Sequence, residues 1–240
     1  KKKNKNFKKS FSEKTFFIKN LIMPYIYIYI YIYMTSKEKL KGKIYSVYSN
    51  LSGHNINRST KIPTDLVVET YGELTINGYE QLLGNKSWEG YNFYDLGSGV
   101  GKVVMYSHLL SDFDKSIGVE FNKDRHNHAK TAQKKLASKS KTRKTRKNKG
   151  NQLVFHKGNM FNKKYFNNKK NSVYFISNLC FTETMNTKLT KYFNKYRANK
   201  KYKTIIFSSK RLSELNYKSE ETLNAHMTWN DSSNIYKYEL

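Results

Sequence analysis

Asp95, Gly97, Gly99, Gly101 and Glu120 are the residues whose types and spacing could do chemistry. Asp95-Leu96-Gly97-Ser98-Gly99-Val100-Gly101 ends an apolar run, and such a glycine turn lets backbone amides approach a ligand. Glu120 stands nineteen residues after Gly101, where a carboxylate can accept both hydroxyls of a ribose. The dinucleotide fingerprint G-x-G-x-x-G would need glycine at position 102, which is Lys102. A phosphate loop would need Ser or Thr after that lysine, and Val103 follows it. An adenosyl ligand without phosphates fits best, namely S-adenosylmethionine.

The elements that must position these residues follow from the apolar pattern. Tyr91–Leu96 reads as a buried strand and Lys102–Leu110 as the helix that the glycine loop opens. Ser116–Glu120 is a second strand, followed by a helix from about Asn122 to Leu136. Gln152–His156, Ser172–Ser177 and Thr204–Ser208 read as further strands, with a helix near Thr184–Tyr196. Strand and helix alternate, which predicts an α/β fold: a mainly parallel sheet with helices on both faces.

The motifs resemble those of the disruptor-of-telomeric-silencing (DOT-type) non-SET histone lysine methyltransferases. Beside the glycine loop and Gly118-Val119-Glu120, Tyr71-Gly72-Glu73-Leu74 is similar to that family's Y-G-E-[TL] segment. Phe175-Ile176-Ser177-Asn178-Leu179-Cys180-Phe181 is similar to its F-V-N-N-F-x-F strand end. Ile206-Phe207-Ser208-Ser209-Lys210 resembles its I-V-S-S-K, and Thr228-Trp229 with Tyr236 its closing hairpin. The resemblance spans residues 67–240 and implies a class I, Rossmann-like methyltransferase fold with a seven-stranded sheet and an antiparallel hairpin near Ala225–Leu240. It implies a cofactor site of Tyr71, Gly72, Glu73, Leu74, Asp95, Gly97, Ser98, Gly99, Gly101, Lys102 and Glu120, with Asn159 and Met160 around the adenine. It implies Tyr71, Asn178, Phe181 and Tyr236 as the catalytic group, Ser209 beside the substrate channel, and methylation of a lysine on a nucleosomal core histone. Trp229 is expected to be structural.

Three departures from the family pattern bear on the site. Ser177 replaces the first of its paired asparagines, Asn159 replaces an aspartate, and Lys102 replaces a neutral polar residue. A cation at 102 is unfavourable beside a sulfonium unless its side chain turns outward. Two other readings stand beside histone methylation: an enzyme acting on RNA, DNA or another basic protein, and a nucleic-acid-binding module that has lost catalysis. The absence of Asn-Pro-Pro-aromatic at 177–181 counts against methylation of base amino groups.

Other chemistry has little support. His126-x-His128 lacks metal-ligand spacing beyond a solvated helix, so no metal is expected. Cys180 is the single cysteine, expected to be buried, which excludes a disulfide scaffold.

The formal net charge is +27, from 45 Lys plus Arg against 18 Asp plus Glu, and points to an anionic partner. Asn, Ile, Tyr and Phe are also abundant, and all of these types share A/T-rich codons with Lys, so clustering carries more information than the total. Ten cations and no acid lie between Lys130 and Gly150. The segment 137–151 reads as a basic loop whose Lys139, Lys141, Arg143, Lys144, Arg146, Lys147 and Lys149 contact DNA phosphates. The expected partner is a nucleosome, met by a monomer in the nucleus or on chromatin.

Residues 1–33 end in the run Tyr25–Tyr33, which alternates Tyr and Ile as a translated TA repeat does. They are expected to be a non-native or disordered leader before an initiating Met34, with 34–66 as an N-terminal segment. A strand and a membrane segment are the competing readings of the run. At about fourteen residues including Pro24 it falls short of the roughly 20 a spanning helix needs.

Overall fold

Tyr91–Leu96 (β1) is buried from Asn92 onward because the sheet it belongs to is covered on both sides. Successive side chains leave a strand on opposite faces. Phe93 therefore joins a core with Val173, Phe175 and Phe207, while Tyr94 and Leu96 join another with Tyr174, Ile176 and Phe193. The computed structural model describes residues 23–53, 72–140, 152–167, 169–196 and 201–240.

Helix α1 is Met23–Tyr48 and α2 is Ile76–Leu83. After β1 come α3 (Lys102–Leu110), β2 (Lys115–Glu120), α4 (Lys123–Ser140) and β3 (Gln152–Lys157). A 3-10 turn at Lys163–Tyr165 precedes β4 (Asn171–Ile176), α5 (Glu183–Tyr196), β5 (Thr204–Ser208), β6 (Ser219–Met227) and β7 (Asn230–Glu239). The sheet has seven strands in the order β3-β2-β1-β4-β5-β7-β6. The first five are parallel, and β7 runs antiparallel to both its neighbours. This is the sheet and closing hairpin expected from the sequence.

The chain runs outward from β1 to β3 and then returns to β4, on the other side of β1. Strand order thus reverses between β1 and β4, and the crevice beyond their carboxyl ends is where such sheets bind ligands. Asp95 pairs in register with Gly118 on one side and Phe175 on the other, so it lies at that crevice.

The structure corrects the strand reading of the Tyr-Ile run, which lies within the helix α1 (Met23–Tyr48), and three further expectations. The chain divides into two compact units after Lys43. In the first, Tyr25, Tyr31, Ile32 and Met34 are exposed, and Lys41 pairs with Glu38 one turn before it at 2.9 Å. In the second, Ile44, Val47 and Tyr48 are buried in the core. The helix α4 continues to Ser140, so the basic segment starts inside it. The hairpin begins at Ser219, before the expected Ala225. Cys180 is exposed, because it sits in the turn closed by Phe181 N–H donating to Asn178 O rather than in the core. No helix among the described residues is long and apolar enough to cross a membrane.

Candidate active site

The glycine loop wraps the end of β1 against β2. The Gly97 and Ser98 amides both donate to Val119 O, at 2.9 and 3.0 Å. Gly97 has φ 92°, and Gly101 has φ 84° as the N-cap of α3, so both occupy left-handed backbone that side chains disfavour. Gly101 also meets the Phe155 ring, which leaves no room for a β-carbon.

Two acids stand behind the loop. Glu120 is buried, and both of its oxygens are held by backbone: Oε2 accepts from Gly99 N–H at 2.8 Å and Oε1 from Asn122 N–H at 2.7 Å. A carboxylate has about four acceptor directions, so these bonds leave Glu120 capacity for a ribose hydroxyl. Burial raises the Glu120 carboxyl above its usual value, against the opposing pull of these amides. Asp95 is raised well above the usual carboxylate range by burial first and by the Glu120 charge second.

A strap covers the cleft from the other side. Glu73 O accepts from Thr228 N–H at 2.9 Å, and Glu73 N–H donates to Thr228 Oγ1 at 3.0 Å. Leu74 forms a β-bridge with Met227, and the Trp229 ring lies directly against Gly72. Trp229 is thus structural in that it packs on the strap, yet it remains 43% exposed. Lys102 does not turn outward: its Nζ pairs with the Glu73 carboxylate across the cleft. The Tyr48 ring centroid lies 5.8 Å from Lys102 Nζ, and the Tyr48 hydroxyl donates to Val100 O at 3.2 Å.

Of the residues singled out from sequence, Gly72, Glu73, Leu74, Asp95, Gly97, Ser98, Gly99 and Lys102 line one cleft. Val103, Phe175 and Ser177 complete its wall. Gly158 N–H donates to Glu120 O at 2.9 Å, which brings the Gly158-Asn159-Met160 turn beside that acid. Asn159 is exposed and its Oδ1 accepts from Phe161 N–H at 2.9 Å, while Met160 is half-buried against the core. Phe181 is half-buried, with its ring edge 3.6 Å from where a β-carbon on Gly97 would be. Tyr236 is half-buried on β7 opposite Ser208.

Asn178 is fully buried and does not face the cleft. Its Oδ1 accepts from Ser208 Oγ at 2.8 Å, Lys210 N–H at 2.9 Å and Ser209 Oγ at 3.3 Å. Its Nδ2 donates to Asn186 Oδ1 at 2.7 Å, so one amide ties the ends of β4 and β5 to α5. Tyr71, Lys141, Arg143, Lys144, Arg146, Lys147 and Lys149 lie outside the described residues, and Lys139 falls in the last turn of α4. Sequence reading missed Tyr48, Val103, Phe175 and Asn186. Phe175 opens the Phe175–Phe181 motif, whereas nothing local singles out the others.

Residues 64–239 match the family described as Histone methylation protein DOT1. No curated protein matches the sequence. Among solved structures, a putative RNA methyltransferase from Pyrococcus horikoshii is 13% identical, over 84% of this chain and 97% of its own, with a TM-score of 0.45. The M1A22 tRNA methyltransferase TrmK of B. subtilis is 12% identical, over 70% and 66%, with a TM-score of 0.45. An RNA methyltransferase from Salinibacter ruber, in complex with S-adenosyl-L-homocysteine, is 14% identical, over 68% and 88%, with a TM-score of 0.43.

Proposed function

The chain belongs to the DOT1 histone methylation family, and from that premise we propose that it transfers a methyl group from S-adenosylmethionine to a lysine of a nucleosomal core histone. The observation that carries the reading is the cleft at the β1–β4 reversal, where Asp95 and the glycine loop meet the Glu73 strap, with Glu120 buried behind the loop on the Gly99 amide. Its residues fit the cofactor: a buried carboxylate with acceptor capacity for a ribose, a close backbone approach at Gly97, and charged groups at the other end. When bound, S-adenosylmethionine supplies an electrophilic methyl on a sulfonium.

The chain's own part is to hold the donor and to present a neutral amine. Phe181 stands over Gly97, and with Tyr236 it supplies aromatic walls that desolvate an incoming lysine and favour its uncharged form. The proton lost from that amine passes to water at the mouth of the channel. Asn178 acts as a positioning residue, since it fixes the turn that carries Phe181. The cations from Lys139 to Lys149 contact DNA phosphates, which suits a monomer acting on chromatin in the nucleus.

Labelled S-adenosylmethionine offered with nucleosomes, free histones, RNA and DNA tests the reading. Label on histone within nucleosomes is expected. Label on RNA or DNA, or cofactor binding with no transfer to any of the four, overturns it.

A further inference from the structure

From Arg125 to Thr182 the sequence contains neither Asp nor Glu. That stretch supplies most of α4, the edge strand β3 and the 3-10 turn, so the fold gathers its unopposed cations at one border of the sheet. We propose that His126, Lys130, His156, Lys157 and Lys164, on this border, form a docking face for the phosphate backbone of duplex DNA. The face stands on regular elements of the fold and is separate from the segment 139–149 that links them. It goes beyond the methyl-transfer reading and does not depend on it, because DNA alone is the ligand.

Packing brings the five side chains together. Phe155 of β3 packs with Ala129 of α4, and Gln133 Nε2 donates to Leu153 O at 2.8 Å, which holds the helix on the strand. Lys130 Nζ donates to Gln133 Oε1 at 2.7 Å and so stands at that seam. On the strand's other face the His156 ring lies 5.9 Å from the Tyr165 ring, and Lys164 Nζ lies 4.9 Å from the same ring. Both imidazoles are held below their ordinary range. For His126 the causes are burial, then Lys130, Lys157 and His156; for His156 they are burial, then Lys164 and Lys130. Cations from three elements therefore share one positive field, which a bound anion relieves. The nearby acids do not oppose it. Glu120 is in register with Lys157, but its oxygens accept from the Gly99 and Asn122 amides. Asp124 lies two positions before His126 and so on the other side of the helix. Proteins that hold single strands stack bases on open aromatic rings, whereas Tyr165, the ring within this face, is buried. Charge without a stacking platform suits the regular phosphates of a duplex.

Fluorescence anisotropy of a short labelled DNA duplex, titrated with the full chain at several salt concentrations, tests this. Changing Lys130, Lys157 and Lys164 together to Gln is expected to weaken binding by about tenfold and to flatten the log–log salt slope by about 0.9 for each phosphate released. The same three changes should cost as much in a chain whose cations from Lys139 to Lys149 are already neutral, which separates the face from that segment. Arginine at the three positions should keep both affinity and slope, so that a loss with glutamine reports charge and not folding. Lys86, Lys203 and Lys218, toward the β5 and β6 side, serve as the control triple and should leave binding within about twofold. A loss no larger than the control's overturns the proposal. Single-stranded RNA bound more tightly than the duplex by the wild-type chain also overturns it. Neither outcome bears on methyl transfer, which the labelled-cofactor assay reads by itself.

Discussion

The Gly99 amide donates to Glu120 Oε2 at 2.8 Å, so the acid proposed to receive a ribose is also the strut that holds the glycine loop in shape. With Asn122 on its other oxygen, Glu120 joins loop, strand and the start of α4. Glu120→Ala leaves two amides without acceptors and should destabilise the fold by about 1–3 kcal/mol. It should also abolish methylation under conditions where the protein remains folded. Denaturant unfolding and a labelled-cofactor assay on the same preparation check both; retained activity would falsify the cofactor assignment.

The burial of Asp95 makes its stability contribution pH-dependent with a definite sign. An acid raised by folding binds its proton more tightly in the folded chain than in the unfolded one. That contribution is complete below the unfolded value of about 4 and is lost as pH rises through the folded value. Asp95→Asn should therefore be more stable than wild type at neutral pH, on the order of 1–3 kcal/mol, and should match it at acid pH. Urea unfolding across pH 4 to about 8 measures the difference, and a gap that widens toward acid would contradict it.

Asn178 makes a separable prediction because it is absent from the cleft wall. Asn178→Ala removes an amide that bridges three elements and should cost about 2–4 kcal/mol. Affinity for S-adenosylhomocysteine should change little while the transfer rate falls. A loss of affinity as large as the loss of rate would place Asn178 in the cofactor site instead.

The packing of Trp229 on Gly72 can be tested by a double substitution. Gly72→Ala drives a methyl group into the indole, which must move, and should weaken cofactor binding by about tenfold as the strap lifts. Adding Trp229→Ala removes the clash and should recover most of that loss. Additive defects in the pair would show that the Gly72 defect does not arise from its clash with the ring.

The basic segment predicts a salt signature. Replacing Lys139, Lys141, Arg143, Lys144, Arg146, Lys147 and Lys149 by neutral residues should weaken nucleosome binding and flatten its dependence on salt, by about 0.9 in log–log slope for each phosphate no longer neutralised. Binding measured at two or more salt concentrations decides it, and an unchanged slope leaves the segment without this role.

The strand ends around the crevice are legible in the sequence because each is a short buried run stopped by glycine or polar residues, as at Leu96–Gly97 and Glu120. α1 escapes sequence reading for a physical reason: Tyr and Ile are both apolar, so their alternation carries no polar face and cannot distinguish a period of two from 3.6. α2 has a readable start, since Thr75 caps it by accepting from Gly78 N–H, but the helix is only eight residues long. The start of β6 is Ser-Glu-Glu, the charged composition of an exposed sheet edge, which resembles a loop. The Asn178 network and the Glu73–Lys102 pair join residues far apart in the chain, and no local pattern encodes such partners.

The strap that covers the cleft is fastened by residues 226–229, more than a hundred positions after the glycine loop it faces. A ribosome makes the loop, both acids and Lys102 well before it makes the clasp. A nascent chain can therefore pair β1 with β2 and β4 yet still hold an unclosed pocket. Cofactor capture must wait until the hairpin has emerged, so the cofactor can reward only a nearly finished sheet and not an early intermediate.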